Sequence, residues 1–268
     1  MARNQLKQPL AALGLAVVMS ALAAAGAEPL HTYGSGFPQA LKLGNDLYET
    51  LDPKFQKSIY PEPIQVEQME EPVIVPSAVR EGDRSWGRVC ISAGYVDLLN
   101  HIAHAKAIDR IQPGYFQTYI LNLSQAADSD APPALPDMVD SRYWTIPVMN
   151  EQGSYFNQMI GMTLAINLSH HYLGHFDRFS SRMPAGQPAA FNNFIPPDAW
   201  ETEVKAATLN CLNCAVATDG ARALFEAIDK MPRRPAWAAY VAPPGADLKH
   251  LIAHLSAYED QYFRGQLK

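Results

Sequence analysis

The rhythm of hydrophobic and polar positions changes several times along the chain, and each change marks an element. Behind Arg3 and Lys7, residues 10–25 form an apolar run of Ala, Leu, Val and Met. The run is short and Ala-rich for a spanning helix, and Ala25 and Ala27 stand where an A-x-A cleavage site needs small residues, so residues 1–27 are expected to be a secretory signal peptide. An uncleaved N-terminal anchor is the alternative reading of the same run. No cysteine follows it, which argues against a lipoprotein.

Gly and Pro punctuate residues 28–61 around one helix expected at 39–51, ending before Asp52-Pro53. Pro63, Pro72 and Pro76 flank Val73-Ile74-Val75, so any strand in 62–80 should be short and at a sheet edge. The run WGRVCIS at 86–92 reads as a buried strand and Gly94 as its turn. Val96, Leu99, Ile102, Ala103 and Ala107 then recur at helical spacing over 95–108. Residues 111–123 are aromatic and amphipathic, with Tyr115, Phe116 and Tyr119 packed or lining a groove, and 124–140 read as a loop or inserted flap. A long helix over 153–179 is apolar around most of its circumference and belongs in the middle of the protein. Past a Pro-rich connection at 186–197, further helices are expected at 199–216, 219–231 and 246–262. The fold class that results is α+β, mostly helical with a small sheet.

Composition narrows the function more than the fold. A mature chain of about 240 residues can bury a sizeable core, and 48% hydrophobic residues is ordinary for a globular protein. The net charge of −6, with Lys and Arg scattered, offers no face for phosphate neutralisation, so no nucleic-acid partner is expected. After signal cleavage no stable membrane span remains, and the destination is periplasmic or secreted. Three cysteines make no disulfide framework. Cys211 and Cys214 form C-x-x-C inside an expected helix rather than at a helix start, which favours core packing over redox chemistry but leaves a local disulfide open in an oxidising compartment.

Histidine carries the candidate chemistry. His170, His171 and His175 lie together in LSHHYLGHF on the central helix. Residues four apart share a helix face about 6 Å apart, so His171 and His175 are the expected metal ligands, as in H-E-x-x-H zinc sites. Glu201, in AWETEVKAA, is the candidate third ligand from a following helix. His250 and His254 repeat the spacing and His101 and His104 lie three apart, but only the first pair sits on a strongly apolar helix, where an unpartnered ring is costly.

These segments resemble the integral and periplasmic zinc metallopeptidases typified by HtpX and the CAAX prenyl endopeptidase. RVCISAGYVDLLNHI resembles their strand, small-residue turn and helix; HYLGH resembles the H-E-x-x-H element; ETEVK resembles the helix that brings the third ligand. AATLNCLNCAVATDGARALFEAIDKM and KHLIAHL are similar to the helices that close such domains. The resemblance implies a zincin-like metallopeptidase domain over 86–268 with an insertion near 111–150, preceded by an N-terminal lead-in at 28–85, with zinc as cofactor and a polypeptide substrate or protein partner.

The departures from that pattern matter. Tyr172 occupies the position of the catalytic glutamate and Lys205 that of the aspartate following the third ligand. A phenol titrating near 10 is a poor general base at neutral pH. Glu203 and His170 face other directions, and Asp177 and Glu151 have no assigned place. The expectation is an exported metallopeptidase-like protein that binds metal with weak or absent proteolysis. An active endopeptidase with another base, and a helical scaffold whose histidines are merely packed, are the alternatives.

Overall fold

The computed structural model describes residues 36–129, 131–184 and 189–267, all within one compact unit; the expected signal peptide lies outside the described residues. The order is α1 (Gly36–Glu49), α2 (Pro53–Gln56), β1 (Ile59–Glu67), β2 (Ile74–Glu81), β3 (Arg84–Ser92), α3 (Ala93–Ile108), α4 (Tyr115–Gln125), α5 (Ile146–Tyr172), α6 (His175–Phe179), α7 (Pro197–Asn213), α8 (Asp219–Lys230) and α9 (Leu248–Phe263). The α+β class is as expected: the described residues are 61% helical and include one three-stranded sheet.

The sheet runs β1-β3-β2, with β1 parallel and β2 antiparallel to the central β3. β1 and β2 both overlap the 62–80 segment, where any strand is expected to be short and at an edge; both are edges, but at nine and eight residues neither is short, and β1 begins earlier, at Ile59. Pro61 and Pro63 are tolerated because β1 is an edge and its register with β3 slips between Ile59 and Ile64. β3 feeds directly into α3, capped by Ser92, whose hydroxyl accepts from the Tyr95 amide at 3.0 Å.

Helix α5 is the axis of the molecule. It packs against α1, α3, α7, α8 and the sheet, and every residue from Met159 to His171 is buried. The polar side chains on this stretch turn back onto the helix: Thr163 donates to Met159 O at 2.8 Å, Asn167 to Thr163 O at 2.9 Å and Ser169 to Ile166 O at 2.7 Å. The single long helix expected at 153–179 is in fact two. It starts earlier, at Ile146, stops at Tyr172, and resumes at His175 after Gly174, whose φ of 70° is a left-handed conformation that costs glycine little.

That break separates the histidines. His171, still on α5, lies against β3: its Nε2 is 2.9 Å from Arg88 O, and its ring fills the space that a side chain at position 87 would need. Gly87→Ala should therefore destabilise the protein by about 2 kcal/mol in denaturant unfolding, since the added methyl meets the root of a buried ring. Adding His171→Ala should recover part of the loss, a non-additivity visible in a double-mutant cycle.

Two further histidines sit inside α3. His104 has Nε2 2.8 Å from Tyr143 O, and His101 Nδ1 lies 3.3 Å from the Tyr119 hydroxyl. Burial, reinforced by His104, pushes His101 down from 6.5 to about 4. Between those values the unfolded chain binds more protons than the folded one, so stability is lost as the pH falls through that window. His101→Gln should flatten the fall in unfolding free energy between pH 6.5 and 4 by roughly 2 kcal/mol, measured against wild type in urea.

Candidate metal centre

Helix α7 brings a carboxylate into the core. Trp200, Glu203, Val204, Ala207, Thr208 and Cys211 form its buried stripe, at the three- and four-residue spacing of a core-facing helix. Glu203 is the one ionisable acid on that stripe, and its side chain is fully buried. Burial pushes its carboxyl up to about 9.

Two histidines meet it. His170, on the last turn of α5, and His175, the first residue of α6, both direct Nδ1 at the same oxygen, Glu203 Oε1. The His175 separation is 2.7 Å, and His170 is the closer of the two. The His170 contact lacks the angles of a hydrogen bond, and His170 Nδ1, His170 Nε2 and Glu203 Oε2 are all buried with no hydrogen-bond partner. Phe191 packs edge-on to the His170 ring with centroids 4.5 Å apart, and the Asn192 amide stands beside the ring. Burial, then the neighbouring histidines, hold His170 well below the usual imidazole range; burial and the Arg178 charge lower His175. Both rings are therefore neutral at pH 7, with lone pairs available.

The three groups offer ligand atoms that all lie within 4.8 Å of one another, the one cluster of this kind among the described residues. Donors about 2 Å from a tetrahedral ion are about 3.3 Å apart, so small side-chain rotations would let all three reach one cation. A buried carboxylate at about 9 and two neutral imidazoles are a neutral set without such an ion; a divalent cation would draw the proton from Glu203 and leave one excess positive charge.

Of the residues expected at a metal site, His175 is here and the other two are elsewhere. His171 is bound to the β3 backbone, because the break at Leu173-Gly174 takes His175 off the α5 face on which the four-residue spacing depends. Glu201 is exposed and lines a surface pocket, two residues and slightly more than half a turn away from Glu203. His170 replaces the first and Glu203 the second. The stripe Trp200, Val204, Ala207 and Cys211 was the available sequence signal, since its phase selects Glu203 rather than Glu201.

Tyr172 makes no base. Its ring packs on Phe55 with centroids 4.8 Å apart, its hydroxyl is buried without a partner, and burial raises its pKa, so the phenol keeps its proton. Glu151 pairs with Arg110 at 2.7 Å, outside the cluster. Cys90, Cys211 and Cys214 are free thiols, and Cys214 Sγ lies 2.8 Å from Thr50 Oγ1.

No family model, curated protein or solved structure matches the chain.

Proposed function

We propose that the protein is a metal-binding protein in which His170, His175 and Glu203 hold one zinc ion in a closed site, with little or no hydrolysis. The observation that carries this reading is the convergence of two buried imidazole nitrogens on one oxygen of a buried carboxylate. A divalent cation there would stabilise the ionised form of that buried carboxyl, and a nitrogen and oxygen donor set of this size suits zinc.

The burial of the ligands favours a structural ion over a catalytic one. The side chains of His170 and Glu203 are fully buried and that of His175 is 6% exposed, whereas a catalytic ion keeps an open position for water and substrate. The neutral phenol at position 172 argues the same way. The order strand, helix, histidine segment and glutamate helix supports kinship with zinc metallopeptidases, with the ligands taken from a broken helix in place of a continuous one. With the expected leader, the protein would work in the cell envelope or outside the cell, its ion clamping α5, α6 and α7 together.

Elemental analysis of untagged protein tests this. About one zinc per chain is expected, with His170→Ala and Glu203→Gln lowering it at least tenfold and His171→Ala and Glu201→Gln leaving it intact. Chelation should lower the melting temperature of wild type and leave that of Glu203→Gln unchanged. A wild-type chain without stoichiometric metal, or a loss that follows His171 and Glu201, would contradict the assignment; iron in place of zinc would keep the site and change its ion.

A further inference from the structure

A second site lies outside the metal cluster. A pocket of 390 Å³ opens between the start of α7, the turn at Pro243-Pro244-Gly245 and the exposed side of α9. Its volume falls in the range of small-molecule sites. Pro197, Trp200, Ile195 and Leu251 give it an apolar body, and Trp200 is held rigid by an indole N–H donating to Val241 O at 3.3 Å.

The formal charge on the wall has one sign. Glu201 and Asp247 line it, and no lysine or arginine does. Asp247 is committed to the start of α9, accepting from the His250 amide at 3.0 Å. Glu201 makes no hydrogen bond or ion pair among the described residues, and its charge reaches the pocket wall: after burial itself, it is the cause that raises the Tyr258 phenol. His250 and His254 complete that side with rings 3.9 Å apart.

We infer that this pocket binds a small organic cation, an amine on an apolar or aromatic body, with Glu201 as the counter-ion. The apolar walls take the body and exclude water, which strengthens the attraction between the ammonium and the carboxylate. The same walls make a bare metal ion a poor occupant. An anion meets two carboxylates and no lysine or arginine on the wall, Lys205 standing outside it, 5.8 Å from the Tyr258 ring centroid. The overall charge of −6 draws cations in the same sense. This inference goes beyond the metal centre and does not depend on it, since none of the three clustered ligands lines the pocket.

The test uses 2-phenylethylamine, 2-phenylethanol and 3-phenylpropanoate, three probes of similar body and different charge, titrated into the purified protein and followed by the Trp200 indole resonance. The amine should bind about tenfold more tightly than the alcohol, the equivalent of one charge-assisted hydrogen bond, and the carboxylate should not bind. In Glu201→Gln, an exposed change that should leave the melting temperature alone, the amine and the alcohol should bind equally. Equal affinity of amine and alcohol for wild type, a preference that survives in Glu201→Gln, or titrations that leave the Trp200 resonance unmoved would each overturn the proposal.

Discussion

The fold depends on how it tolerates one buried carboxylate. Moving an unpaired carboxylate out of water costs many kcal/mol, and proteins avoid the cost by protonating the group or supplying partners. Glu203 pairs with no lysine or arginine among the described residues; what faces it is a pair of neutral imidazoles sharing one of its oxygens. The three elements that supply these groups, α5, α6 and α7, are thereby committed to one relative placement, which a bound ion would fix as covalent-like bonds fix a clasp.

The two adjacent histidines of α5 divide the work. His170 turns toward α7 and is walled in by Phe191; His171 turns toward β3 and seats on the Arg88 carbonyl, in space left by Gly87. The helix end is thus held from both sides, against the sheet by one ring and against α7 by the other. The left-handed Gly174 then folds the chain back so that His175 joins His170. A continuous helix would have carried His175 a full turn beyond His171 and onto the sheet side.

Much of the architecture was legible in the sequence because it rests on periodicity. The strand at 86–92, the helix that follows it, the apolar central helix and the three later helices all follow from the spacing of apolar residues. β1 was legible as an edge strand but not in its length, because an edge strand with a register slip accommodates prolines that would break a central one. The histidine segment was legible as the place to look, and the cluster found there contains His175 with His170 and Glu203 in place of His171 and Glu201. Counting four residues from His171 to His175 assumes an unbroken helix, and the Gly174 between them, which could have warned against it, also occurs inside ordinary helices. Choosing Glu201 over Glu203 followed a motif resemblance where the phase of Trp200, Val204, Ala207 and Cys211 pointed to the other residue.

The most direct measurement of the central claim is X-ray absorption at the zinc edge of the purified protein. The proposed centre predicts a first shell of nitrogen and oxygen alone at about 2.0–2.1 Å, with the multiple-scattering signature of two imidazoles, and a zinc edge at least tenfold weaker in His170→Ala at equal protein concentration. A shell containing sulfur at about 2.3 Å would move the ion to the cysteines, and a spectrum unchanged by His170→Ala would contradict the site.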